Sequence, residues 1–333
     1  MLVVAAPRRT LGREIVTPVV AAVAVAGIAM SLYAVLGGAD FGGGVWDLLA
    51  SGPRRTQQRE AITEAIGPVW EANHVWLIFA IVTSFTCFPA AFADASIGLY
   101  APLSFALVGI VLRGAAFVFR NYAGDATALA RTWTAVFGAA SLIAPFFLGD
   151  ALGALATGRY AWTSPFALAV GAFAVTMCAQ VAATFILREI DDLRVRADFR
   201  IRAIRATIAV WIAGAIPVAL AAGTEPELFA MLRHPPAMAA VAVALVAGLA
   251  VIACIAMCRD LTARFAVGLE AIAVLGGWFG GQAPALVPGR YTFTSAASSN
   301  AMIVAFLVAA ACGAVLLIPS LVLLFRVFKA PAR

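Results

Sequence analysis

Nine stretches of this chain each run for about twenty residues almost free of charge. A bilayer core roughly 30 Å thick is crossed by about 20 apolar residues of helix, so each run has the length of a membrane span. They lie near 16–37, 73–93, 97–117, 132–154, 164–187, 204–222, 237–257, 264–286 and 301–326. Composition agrees: 63% of the 333 residues are hydrophobic, 12% are charged, and mean hydropathy is +0.98. Soluble domains carry about 25% charge, so soluble, disordered, fibrous and disulfide-framed classes are excluded. The expected fold is an all-α polytopic membrane protein, with residues 1–333 forming one integral membrane unit.

Twenty-three Lys and Arg against 17 Asp and Glu give a net charge of +6. In so apolar a chain, basic excess marks loops that face the cytoplasm and anionic lipid. The arginines form no aromatic-interleaved stripe, so nucleic acid is not an expected partner. On alternating sides of nine spans, sixteen basic residues fall on one side and six on the other, with Arg113 inside a span. The richer side holds the 188–203 loop and the C-terminus, which the positive-inside rule places in the cytoplasm. Arg8, Arg9 and Arg13 in the N-tail pull the other way. The first apolar run continues past the signal-like Ala24-Val25-Ala26 to Leu36, and reads as a retained helix.

The five cysteines are scattered. Cys254 and Cys258, one turn apart in an alanine-rich run, read as small buried hydrophobes rather than a metal pair. Only His74 and His234 could act as histidine ligands, too few for a chain holding several haems.

Ionisable groups at membrane depth are costly and point to function. Here they are Asp40, Glu71, His74, Asp94, Arg113, Asp150 and Glu270. Asp40 sits in Gly37-Gly38-Ala39-Asp40-Phe41-Gly42-Gly43-Gly44, where glycines permit left-handed or closely packed backbone. Its carboxylate either meets another helix or is solvated in an interfacial turn. In Gly67-Pro68-Val69-Trp70-Glu71-Ala72-Asn73-His74-Val75-Trp76-Leu77, Glu71 and His74 share a helix face. They either begin a proton path, or cap a helix N-terminus and hydrogen-bond at the interface. Arg113 calls for a carboxylate or an anionic cofactor group. Arg120, seven residues on and on much the same face, is better explained by snorkelling than Arg113 is. Glu270 and Asp150 are single acids suited to bonds between helices. Phosphate loops, nucleophile elbows and zinc helices are absent, and Gly276-Gly277-Trp278-Phe279-Gly280-Gly281 reads as close helix packing.

The segment 67–77 resembles subunit II of the cytochrome bd-type quinol oxidases, in its cyanide-insensitive-like branch. The resemblance extends to Gly38-Ala39-Asp40-Phe41-Gly42 and to Phe88-Pro89 through Tyr100-Ala101-Pro102-Leu103. It continues in Leu112-Arg113-Gly114-Ala115-Ala116-Phe117-Val118-Phe119-Arg120 and in Ala297-Ser298-Ser299 before the last helix. It is dense over 31–122 and collinear but thin beyond. It implies two four-helix bundles plus a peripheral helix, and a partner, subunit I, that carries haems b and d and the quinol site. This chain is then haem-free, scaffolding subunit I and lining a cytoplasmic proton route in the bacterial inner membrane. The resemblance leaves room for a small single-helix subunit, membrane lipids and a structurally held quinone or lipid. Glu71 matches the family's proton-route acid, with Trp70 and Asn73 beside it, and His74 and Asp40 join the implied path. Arg113 and Arg120 take structural or cofactor-pairing roles. Two acids found in other members fall on Gly37 and Ser295 here. A secondary transporter using Glu71, Arg113 and Glu270, or a purely structural membrane subunit, are the alternatives; no inverted repeat supports the former.

Overall fold

The computed structural model describes residues 8–122 and 128–328. Among them are eleven α-helices and a two-stranded hairpin. In chain order these are α1 (Arg8–Leu48), α2 (Arg55–Cys87), α3 (Pro89–Gly98), α4 (Tyr100–Tyr122), α5 (Ala128–Ala156), α6 (Pro165–Ile186), α7 (Leu193–Thr224) and α8 (Pro226–Leu232). Then follow α9 (Pro235–Ala256), α10 (Asp260–Gln282), β1 (Ala285–Val287), β2 (Tyr291–Thr292) and α11 (Asn300–Phe328). Eight helices are long and apolar enough to cross a membrane, and a ninth is counted if a bent pair is one span. The chain is an all-α polytopic membrane protein.

The stretch 38–72, between the first two expected spans, is almost wholly helical. α1 runs through the glycine-rich segment to Leu48, and α2 resumes at Arg55. Glycine weakens an isolated helix. Within lipid, however, small residues let backbones approach. A Cβ on Gly42 would overlap the Cys178 carbonyl of α6, and one on Gly44 would overlap the Ser141 hydroxyl of α5. The glycines therefore seat α1 between α5 and α6, and Asp40 lies inside a helix rather than in an interfacial turn.

The expected span 73–93 is also interrupted. Proline restricts the residue before it. Before Pro89, Phe88 takes φ −135° and ψ 54°, and α3 departs at 117° from the second half of α2. Ser298 N–H donates to the Cys87 carbonyl at 2.8 Å, satisfying one acceptor exposed by the break.

α1, α2, α4 and α5 form one group, α6, α7, α9 and α10 a second, and α1 packs on α6 to join them. α11 lies outside, against α1 and α2. The largest core cluster gathers Ile62, Val181, Ile186, Phe199, Ile255 and Val267 where the groups meet. Outward faces carry exposed apolar residues such as Phe265, Val315 and Leu316, as lipid contact requires.

Candidate functional site

The first group closes around a buried ion pair. Arg113 of α4 donates Nη2–H to Asp40 Oδ1 at 2.6 Å and Nη1–H to Oδ2 at 2.8 Å. A further Nη2–H reaches the Asp40 carbonyl at 2.8 Å. Its Nε–H reaches Ser141 Oγ of α5 at 3.0 Å, and that hydroxyl donates to the Phe137 carbonyl at 2.7 Å. Asn73 of α2 donates Nδ2–H to Asp40 Oδ2 at 2.8 Å. Four helices thus meet around one ion pair, with Asp40 and Asn73 wholly buried and Arg113 1% exposed. The guanidinium lies between two ring faces, 5.4 Å from the Phe41 centroid and 4.8 Å from that of Phe137. A planar, always-charged donor set fits this site where a lysine would not.

A second layer repeats the first seven residues on. Asp47 and Arg120 approach to 3.6 Å, and Arg59 of α2 lies 3.8 Å from the same carboxylate oxygen. Arg59 also donates to the Asp47 carbonyl at 3.2 and 3.3 Å. Arg120 reaches Thr63 Oγ1 at 3.1 Å and sits 4.2 Å from the Phe137 ring centroid. Its side chain is 9% exposed, so it faces inward to a carboxylate and does not snorkel. The second layer lies about 10 Å along the helix from the first, at 1.5 Å per residue.

Beyond it, Arg54 grips Asp198 of α7 through bonds of 2.9 and 2.6 Å. That carboxylate raises the arginine's affinity for its proton further still. Gln58 joins the pair at 2.9 Å and accepts from Arg202 at 2.7 Å. Polar groups therefore run in a file from the exposed, arginine-rich end of the molecule inward to Asp40. Two acceptors in it, Asp47 Oδ2 and Asn73 Oδ1, are buried without a hydrogen bond among the described residues.

Of the other expected site residues, Trp70 stacks on Phe117 of α4 at 5.5 Å. His74 Nδ1 lies 3.2 Å from the Trp70 carbonyl. Glu71 belongs to α2, two residues before Asn73, and its side chain lies outside the described residues. Gly37 faces the ring of Tyr33. Ser295 is bound up with Thr292 in the loop after β2.

The remaining acids lie elsewhere. Glu270 belongs to the second group, accepting from Gln180 Nε2 at 2.6 Å, while the same nitrogen reaches Thr207 at 3.1 Å. Asp94 accepts from the Tyr160 hydroxyl at 2.7 Å and pairs with Arg290 at 3.2 Å. The buried Asp150 carboxylate has no hydrogen bond among the described residues. Nor, among these residues, do three His, Cys, Asp or Glu cluster as metal ligands would.

Sequence reasoning missed Asp47, Arg59, Ser141 and the Gln180 partnership. The signal for Asp47 was present: Asp40 and Asp47 repeat at the spacing of Arg113 and Arg120, so two parallel helices would match both pairs at once.

Residues 18–328 match the family model described as cytochrome bd terminal oxidase subunit II. The chain belongs to that family. Among its relatives, the cytochrome bd ubiquinol oxidase subunit 2 of Bacillus subtilis is 33% identical over 147 residues, 40% of this chain and 43% of that protein. The cytochrome bd-I ubiquinol oxidase subunit 2 of Escherichia coli K12 is 27% identical over 170 residues, 45% of each. The matched part of the chain thus spans under half the length of these relatives. A chain of the bd oxidase from Geobacillus thermodenitrificans shares the fold throughout. Its TM-score is 0.79 over 95% of this chain and all of that one, at 21% identity. In this subunit II family member, the buried pair and its file form the polar interior of the first helix group.

Proposed function

We propose that the chain is the haem-free subunit II of a bd-type terminal quinol oxidase in a bacterial cytoplasmic membrane. In this reading it scaffolds a haem-bearing subunit I and lines a route for protons from the cytoplasm, used when oxygen is reduced to water with electrons from quinol. The file from the arginine-rich end through Asp47 and Arg120 to Asp40, Arg113 and Asn73 carries the proposal. It joins the exposed end to a wholly buried carboxylate, and its two open acceptors offer water the polar contacts it requires.

Asp40 and Arg113, locked together by paired hydrogen bonds, act as positioning residues, fixing α2 against α1 through Asn73. Glu71 and His74, on the same helix, are assigned to the route, carboxylates and imidazoles being the side chains that most often carry protons. Haem ligation within this chain finds little support: His74 turns Nδ1 toward its own helix, and His234 sits on another element, at the start of α9. The haems belong in the partner, where they supply the oxygen chemistry.

The test is Glu71→Gln in the intact complex. Quinol-driven oxygen uptake should fall at least tenfold, the lower end of what one proton-transferring group contributes being about a hundredfold, with the reduced-minus-oxidised haem spectrum unchanged. Full turnover and proton uptake in a spectrally intact complex would overturn the proton role. A haem-free, substrate-binding monomer on purification would overturn the whole assignment in favour of a transporter.

A further inference from the structure

At the arginine-rich end, away from the file, the turn joining α6 to α7 and the turn joining α9 to α10 enclose a cleft of about 340 Å³. Arg188, Arg196 and Arg259 line it, with Thr262 and Asp260. Asp260 is the only acidic lining residue, and Arg200 already faces it at 3.5 Å. Nearby Glu189 is bound by Arg264 at 2.8 Å. Arg196 donates Nε–H to the Ile190 carbonyl at 2.9 Å, which fixes its guanidinium in the wall. Arg188 and Arg259 are exposed, and their side chains have no hydrogen bond or ion pair among the described residues. Three cations thus converge on a concavity whose one carboxylate is already matched.

What adjoins the cleft selects the ligand. From its rim, α10 carries Leu261, Phe265, Leu269 and Ile272 outward, exposed by 45%, 71%, 50% and 42%. Residues so spaced form one stripe along a helix. A free anion would need the arginines alone. An amphiphile would use both features, its anionic head in the cleft and a chain along the stripe. Basic pockets at the ends of membrane helices suit lipid phosphates, and guanidinium forks match phosphate oxygens. We infer that this cleft binds the phosphodiester of an anionic phospholipid such as phosphatidylglycerol, with an acyl chain laid along Leu261, Phe265 and Leu269.

The experiment uses the chain in its purified, delipidated native complex, titrated with phosphatidylglycerol, with phosphatidylcholine and with inorganic phosphate, and read by native mass spectrometry. Phosphatidylglycerol should be retained over phosphatidylcholine. Arg188→Gln with Arg259→Gln should weaken its retention by about fivefold per arginine, the effect of one basic residue near an anionic surface. The two lysine replacements should restore most of it, and Arg233→Gln at another turn should change nothing. Asp260→Asn provides a gain that misfolding cannot mimic. It removes the lining carboxylate and frees Arg200, so retention should rise about fivefold. Equal retention of the two lipids, indifference to the paired arginine change, or displacement of phosphatidylglycerol by millimolar phosphate would each overturn the assignment.

Discussion

Arg113 and Asp40 show what a single pair contributes inside a membrane protein. Removing two charges from water costs several kcal/mol per ion, and their attraction repays this only when remaining donors and acceptors are also matched. Here Ser141, Asn73 and the Asp40 carbonyl do the matching. Breaking one side should therefore cost more than removing both. Arg113→Met should destabilise the protein by about 3–5 kcal/mol, because Asp40 is left buried without its partner. Arg113→Met combined with Asp40→Leu should recover most of that loss. Thermal unfolding of the four proteins of the cycle checks this, and additive losses would show that the two residues act independently. Both residues stood out in the sequence as expensive at depth, but nothing local joined them across 73 positions. Only the repeated seven-residue interval, Asp40 to Asp47 and Arg113 to Arg120, held that information.

At the level of elements, backbone proximity decides more than propensity does. The extent of α1 was the least legible feature, since Gly37 to Gly44 read equally as a turn or as a packing surface, and only α5 and α6 settle which. Gly42→Ala should push α1 off α6 at a cost of about 1–3 kcal/mol, typical of overpacking. Gly27→Ala, in the same helix with nothing within 4 Å, should stabilise by about 0.5–1 kcal/mol. Opposite shifts in unfolding temperature would separate contact from propensity; equal shifts would refute the packing account. The Phe88 break is announced by Pro89, but nothing in the sequence foretold its 117° angle or the Ser298 N–H that caps it. In the second helix group, Gly248 approaches so closely that a Cβ there would sit 2.7 Å from Glu270 Oε1 and 2.8 Å from Trp211 Nε1. Glu270 is thus held as a packing acceptor for Gln180. Glu270→Gln should be tolerated, whereas Gln180→Leu should cost about 1–3 kcal/mol by stranding the partner oxygen. Turnover lost in a stable Glu270→Gln protein would instead favour an ionic role for that residue.

For the whole molecule, the two matched acid–arginine layers fix the running direction of the helices. Asp40 meets Arg113 and Asp47 meets Arg120, so α1 and α4 are parallel, and α2 must carry the chain the full way back between them. At 33 residues and about 50 Å, α2 is long enough to do so despite its charged first turns, and α3 is a sideways detour. Nine crossings follow among the described residues, with the start of α1 and the end of α11 on opposite faces. The cleft places the α6–α7 and α9–α10 turns at one end, the end that also holds Arg54, Arg59 and Arg202, and by the positive-inside rule we propose that this end faces the cytoplasm. The three N-tail arginines oppose this orientation, and their side chains lie outside the described residues. Cys258 decides between them, because it is exposed at the α9–α10 turn while Cys87 and Cys254 are buried, Cys178 is half-buried within α6 and Cys312 lies within apolar α11. A membrane-impermeant maleimide should label Cys258 in inverted vesicles and leave it unmodified in right-side-out ones, with Cys258→Ser abolishing the signal. Labelling from the outer face would turn the molecule over. The polar file would then open to the wrong compartment for cytoplasmic protons, so this one orientation measurement bears on the proton route as directly as any change at Glu71.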